Sequence, residues 1–134
     1  MSGYRGYVTS RPFLGNRVPQ HVQNIVIREY CNRLNIVYLL SGTEYAIPES
    51  YFILNSILEN LEMLDGVVAY SLFQMPLDSS IRKRVFKEIV DKNKTLHFAV
   101  EGITISSSSD IQLVEDVLSI SMVINSQLNV QELI

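Results

Sequence analysis

Residues Arg5-Gly6-Tyr7-Val8-Thr9-Ser10-Arg11-Pro12-Phe13-Leu14-Gly15-Asn16-Arg17-Val18-Pro19-Gln20-His21-Val22-Gln23-Asn24 decide how this chain reads. A short apolar run, Tyr7-Val8, gives way to a polar loop holding two arginines, a serine and an asparagine, and Pro19 opens a helical pattern. That order is strand, loop and helix start. In α/β folds ligands gather outside the C-terminal ends of the strands, and a helix N-terminus offers free N–H groups and a positive dipole end to an anion. The stretch therefore predicts a cradle for a small anionic ligand, phosphorylated or carboxylated.

Outward from it, the first strand spans about Arg5 to Thr9. Val22, Ile25, Val26, Tyr30, Cys31 and Leu34 recur at helical spacing, which predicts a helix from Pro19 to Leu34. Proline suits the first helical position, and Asn16 or a neighbouring backbone group is the expected cap. Ile36-Val37-Tyr38-Leu39-Leu40 reads as a buried parallel strand, with Ser41 to Tyr45 as the loop that leaves it. Pro48-Glu49-Ser50 begins a second helix with Phe52, Ile53, Ile57, Leu58, Leu61 and Leu64 inward, stopped by Asp65-Gly66. Val67 to Tyr70 is the third strand and Ser71 to Leu77 a loop at its end. Asp78, Ser79 or Ser80 caps a third helix whose inward face is Ile81, Val85, Phe86, Ile89 and Val90. The fourth strand, Leu96 to Val100, ends at Glu101-Gly102. Ser106 to Ser109 reads as a linker, with Asp110 suited to cap a last helix striped by Val114, Val117, Leu118 and Met122. The order βαβαβαβα with short connections predicts a single compact α/β domain, its four-stranded, mostly parallel sheet flanked by helices. Its core spans about residues 4–124, and the tail from 125 to 134 is expected to fray or to lie at an oligomer interface.

A chain of 134 residues can bury a core without metals or disulfides. It is 47% hydrophobic and 19% charged, and this apolar surplus points to a sheet covered on both faces or a face kept for another subunit. A net charge of -3 argues against nucleic acid as partner, because neutralising phosphates needs a basic surface. One cysteine, Cys31, excludes an internal disulfide and a cysteine-rich metal centre, and its phase on the first helix makes it a buried bystander. No apolar run nears the ~18 residues of a membrane span and no signal-peptide core opens the chain, so no membrane partner is expected and the cytoplasm is the default compartment.

Two family resemblances rest on these residues. Gly6-Tyr7-Val8-Thr9-Ser10, Gln23, Val67-Val68-Ala69-Tyr70-Ser71-Leu72 and Glu101-Gly102-Ile103 stand where the resolvase and invertase (serine recombinase) catalytic domain has its nucleophile strand, first helix, and third and fourth strands, so the architecture resembles that family. The resemblance implies a resolvase-like fold. The family's arginine two residues before its serine is Val8 here, and its Asp-Arg-Leu-x-Arg motif meets Phe73-Gln74-Met75-Pro76-Leu77. Strand exchange needs several guanidiniums around the phosphodiester, which excludes that activity. From Tyr4 to Leu118 the chain is also similar to the sporadic carbohydrate cluster family, a bacterial group. The carrying residues are Tyr4-Arg5-Gly6-Tyr7, Ser10-Arg11-Pro12, Gly15 to Asn24, Thr43-Glu44-Tyr45-Ala46, Tyr70-Ser71-Leu72 and Leu96-His97. This resemblance implies a place in bacterial surface-carbohydrate synthesis and supplies no reaction.

Four loops are expected to converge at the strand ends. They supply Ser10, His21 and Glu44 as candidates for proton transfer or nucleophilic attack. Arg11, Asn16, Arg17, Gln20, Gln23, Tyr45, Ser71 and Glu101 are the candidates for holding the anion. No histidine pair has ligand spacing, so neither metal nor cofactor is expected. His97, mid-strand, reads as a satisfied core histidine, and Arg82, Lys83, Arg84 and Lys87 as a solvated basic face. The functional expectation is a protein of surface-carbohydrate biosynthesis that binds a phosphorylated sugar or similar anion and forms a homo-oligomer. The alternative is a non-catalytic resolvase-like module for oligomerisation or scaffolding.

Overall fold

The computed structural model describes residues 2–13, 15–47 and 50–132, with side chains described as far as Ile124 except Met122. The elements are β1 (Tyr4–Thr9), α1 (Gln20–Leu34), β2 (Tyr38–Glu44), α2 (Phe52–Glu59), β3 (Gly66–Ala69), α3 (Ser79–Asp91), β4 (Thr95–Phe98), β5 (Ile103–Ile105) and α4 (Ser108–Glu132). Short 3₁₀ turns follow α2 at Leu61–Met63 and β3 at Leu72–Gln74. The sheet runs β2-β1-β3-β4-β5, parallel except for β5, which pairs antiparallel with β4. The expected four strands are thus five. Ile103–Ile105 has too few residues to show a period, and only the turn through Gly102, at φ +67°, sends it back along β4.

Alternation along the strands buries both faces of the sheet. Tyr7, Val67, Ala69, Leu96 and Phe98 point to one side and pack with Leu54, Ile57 and Leu58 of α2, Val85, Phe86 and Ile89 of α3, and Val114 and Leu118 of α4. Val8, Val68 and Ala99 point to the other, under Ile27, Tyr30 and Cys31 of α1. Burial contributes about 1.5–3 kcal/mol for each large apolar side chain, so these two layers hold the strand ends rigidly in place.

Several inward faces are rotated from those the sequence predicts. On α1 the buried set is Gln23, Ile27, Tyr30 and Cys31, whereas Ile25 and Leu34 are exposed. On α2 Leu54 points inward and Phe52 outward, and on α3 Arg82 takes the inward position expected of Ile81. Pro19 is the N-cap rather than the first helical residue, and it makes no side-chain cap hydrogen bond. The expected opening of α2 at Pro48-Glu49 lies outside the described residues, as does the side chain of Met122.

The second strand differs most. It starts at Tyr38, runs through Glu44 and lies at the sheet edge rather than inside it. Its register shifts between Arg5 and Gly6 of β1, leaving Leu40 bulged and 80% exposed, with its carbonyl accepting from Arg5 Nη1 at 2.9 Å. A bulge and a charged neighbour are common protections for an edge. Helix α4 begins before Asp110, whose carboxylate reaches back to the Ser106 and Ser107 amides at 2.9 and 3.1 Å. Those bonds, the Ser106 amide first, hold its carboxyl below the ordinary aspartate value. The helix continues to Glu132, through most of the segment expected to fray. Among the described residues no helix is long and apolar enough to cross a membrane.

Candidate functional site

The parallel strands β1, β2 and β3 end together, and the loops that leave them hold most of the polar residues singled out in the sequence. Glu44 closes β2 and is fully buried. Its carboxylate accepts from the Ile53 and Leu54 amides and from the Tyr7 hydroxyl, each at 3.0 Å. An anion at those two amides caps α2, where the free N–H groups and helix dipole favour it. Burial first and the adjoining carboxylate second push the Tyr7 phenol far above its usual value, so it stays a donor. Glu44 thus serves as an internal cap, not as an acid or base open to substrate.

Glu101, beyond β4, has the same role one loop away. It accepts from the Leu72 amide and the Ser71 hydroxyl, both at 2.8 Å, at the start of the 3₁₀ turn after β3. Ser71 Oγ in turn accepts from the Phe73 amide, and Gln74 Oε1 accepts from the Ser71 amide at 3.2 Å. The capping box closes this turn. It holds the segment from Leu72 to Met75, whose Leu72 and Met75 bury into the core.

Between the two caps lies an amide network that joins three elements. Gln23 Nε2 donates to the carbonyls of Thr9 and Val18, both at 2.8 Å, and its Oε1 accepts from the Thr9 amide at 3.2 Å. Gln74 Nε2 donates to Thr9 Oγ1 at 3.0 Å and to Gln23 Oε1 at 2.8 Å. Thr9, Gln23 and Gln74 are all buried. The pairing of β1 with β3 ends at Tyr7 and Ala69, and Gln23, at the inward phase of α1, satisfies the Thr9 amide and carbonyl beyond it.

The arginines divide. Arg11 Nη1 donates to the carbonyls of Ser50 at 2.6 Å and Ile47 at 3.3 Å, and the guanidinium lies 4.5 Å from the Tyr51 ring centroid. It braces the β2–α2 loop against β1. Its Nη2 is buried with no hydrogen-bond partner among the described residues. Arg17 is exposed, as are Asn16, Gln20, His21 and Tyr45. Phe13 and Asn16 pair their backbones across Gly15, whose φ of +75° closes the tight turn, and this hairpin carries Arg17 outward. Ser10 Oγ donates to the Glu44 carbonyl at 2.9 Å, and among the described residues no imidazole or carboxylate side chain is bonded to it. The structure therefore brings Ser10, Arg11, Gln23, Glu44, Ser71 and Glu101 into one connected polar layer, and leaves Asn16, Arg17, Gln20, His21 and Tyr45 at its solvent rim.

His97 is a satisfied core histidine, with Nδ1 2.8 Å from the Tyr30 hydroxyl and 2.9 Å from Thr104 Oγ1. Burial lowers its pKa. The basic cluster needs a correction. Lys83, Arg84 and Lys87 are exposed, but Arg82 is buried in a two-pronged pair with Glu115 of α4, both contacts at 2.6 Å. Its remaining donors meet the carbonyls of Pro76 and Leu77 at 3.0 and 3.1 Å. Its place four residues before Phe86 and seven before Ile89 carried that signal in the sequence. Concavities of about 340 Å³ between α2 and α3, and about 510 Å³ along the β2 edge, take no residue from the β1–α1 loop. Among the described residues no three His, Cys, Asp or Glu side chains gather as metal ligands would.

Two solved structures share this arrangement of strands and helices. The chain is similar to a resolvase family site-specific recombinase from Streptococcus pneumoniae, with TM-score 0.63 and 11% identity over 97% of this chain and 93% of that one. It is also similar to the N-terminal catalytic domain of TP901-1 integrase, with TM-score 0.65 and 12% identity over 90% and 98%. The fold resembles that of resolvase-family catalytic domains. At these identities the likeness is one of fold alone. No protein-family model matches this chain, and neither does any curated protein, so the resemblance to the carbohydrate cluster family gains no support there.

Proposed function

We propose that this chain is a non-catalytic module of resolvase-like fold that works by associating with a second copy of itself through α4. The observation that carries this reading is an apolar stripe on the outward side of that helix. Leu113, Ile120, Val123 and Ile124 are each more than half exposed, although Ile111, Val114 and Leu118 already bury the inward side. Twenty-five residues make a helix of about 37 Å. The last of its described side chains to be buried is Leu118, in the first half. Leu113, Val117, Ile120 and Ile124 recur at steps of four, three and four, the spacing of a two-helix seam, with Val117 half-buried against the core at its edge. A second α4 offers the same repeat in return, so a two-fold pair is self-complementary.

The loss of catalytic function is supported by how the polar residues are used. Glu44, Glu101, Gln23 and Ser71 are committed to internal bonds, and Ser10 donates to a backbone carbonyl, with no base bonded to it among the described residues. Sedimentation velocity tests the proposal. The wild-type chain is expected to sediment as a dimer, and the Ile120→Glu/Ile124→Glu variant as a folded monomer. A wild-type chain that stays monomeric at every concentration overturns it.

A second reading, a small-anion site at the β1–α1 loop, is favoured by the buried Nη2 of Arg11, unpartnered among the described residues, and by the exposed Arg17 near the start of α1. Its ligand would be a phosphorylated sugar or similar anion, and the carbohydrate-cluster resemblance implies a setting in bacterial surface-carbohydrate synthesis. Amide shifts at residues 16–21 on adding inorganic phosphate, lost in Arg17→Ala, would support it, and unchanged spectra would remove it.

A further inference from the structure

The geometry points to the buried Arg82–Glu115 pair as a register lock that sets where α4 presents its outward stripe. This inference rests on the self-association reading above, and adds the residues that position the associating helix. The inward side of α4 is otherwise apolar, with Ile111, Val114 and Leu118 spaced one turn apart around Glu115. Apolar contacts are non-directional, so such a stripe packs nearly as well after sliding along its neighbour. Among the described residues Glu115 is the one buried charge on it.

Arg82 cannot follow a slide. Its Nη1 is held by the carbonyls of Pro76 and Leu77, and its Nε and Nη2 meet the two oxygens of Glu115. A shift of one turn, about 5.4 Å, would put Ile111 or Leu118 where Glu115 now sits. That leaves a guanidinium and a carboxylate buried and unpaired, which is strongly unfavourable. The pair contributes less to stability than to uniqueness, because desolvating two charges offsets most of their attraction. Arg82 and Glu115 are therefore positioning residues. The partner copy meets Leu113, Ile120 and Ile124 at one height only because α3 and α4 are pinned at this point.

The test replaces both partners, as Arg82→Met/Glu115→Met, in the full chain. Spin labels at the exposed Lys87 and Ser119 read the α3–α4 distance, and sedimentation equilibrium reads association. The double variant is expected to keep its urea midpoint close to that of the wild type. Its distance distribution should broaden or become bimodal, and its dimer dissociation constant should rise about tenfold or more, as for coupled neighbours. The single Glu115→Gln variant should lower the urea midpoint, because it leaves the guanidinium without its counter-charge. A distribution as narrow as the wild type overturns the register lock. Loss of the cooperative fold in the double variant overturns it too, since the pair would then supply stability rather than position. If the distribution broadens while the wild type proves monomeric, the lock stands and the self-association reading falls.

Discussion

Replacing Glu44 probes how far the polar layer belongs to the fold. In Glu44→Ala three donors lose their acceptor: the Ile53 and Leu54 amides and the Tyr7 hydroxyl. The Leu54 and Tyr7 bonds are buried and the Ile53 bond partly so, so water can replace the carboxylate at one of the three at most. An orphaned buried donor costs about 1–3 kcal/mol, so two cost about 2–6 kcal/mol, and relief from burying a carboxylate brings the loss to about 2–4 kcal/mol. Glu44→Gln keeps one acceptor oxygen and turns an amide group toward the other donors, for about 2 kcal/mol. Tyr7→Phe removes a single bond and should cost about 1 kcal/mol. Urea unfolding followed by circular dichroism at neutral pH, with the slope unchanged, measures the three differences. A domain of this size has about 5–15 kcal/mol in total, so the alanine loss should be plain. A Glu44→Ala variant within about 1 kcal/mol of the wild type, or a Tyr7→Phe loss as large as the alanine loss, would refute the capping account.

The amide network carries its own expectation. Gln74→Ala orphans the Ser71 amide and strips a donor from Thr9 and Gln23, and should lower stability by about 2–3 kcal/mol in urea melts. The neutral His97 imidazole makes stability depend on pH, with the folded pKa below the unfolded value near 6.5. A depressed pKa means the unfolded chain binds the proton first, so stability is full above about pH 6.5 and declines as the pH falls from there toward the folded pKa. His97→Asn should be less stable at pH 7.5 yet lose less on acidification, which thermal melts across that range would show. At Gly66 an added Cβ would collide with the Thr95 carbonyl. Gly66→Ala should therefore separate β3 from β4 and cost about 2 kcal/mol or more.

Much of the architecture was legible because periodicity reports burial. The strand at Tyr7-Val8 and the inward run Val85, Phe86 and Ile89 stand where their spacing puts them, whereas the second helix ends at Glu59, short of the stop read at Asp65-Gly66. The edge was harder. Ile36 to Leu40 has the composition of a central strand, and nothing local records that β2 has a neighbour on one side only. The site was readable as a place but not as a mechanism. Glu44 and Glu101 follow strand ends, where polar residues usually face solvent, and only the return of α2 and of the turn at Leu72 makes them caps. Sequence cannot weigh a carboxylate facing a ligand against one facing a backbone amide nine residues later. Gln23 and Arg82 did carry a signal, since each is a polar residue at the buried phase of its helix.

Cross-linking through α4 tests the account most directly. Ile120→Cys places a thiol on the outward stripe, and Leu40→Cys places one on the bulged β2 edge as a control, while the native Cys31 is buried. On mild oxidation the Ile120→Cys chain is predicted to form a covalent dimer at low protein concentration and the Leu40→Cys chain to remain monomeric. An Ile120→Cys chain that stays monomeric, or that cross-links no faster than the control, would contradict self-association through α4.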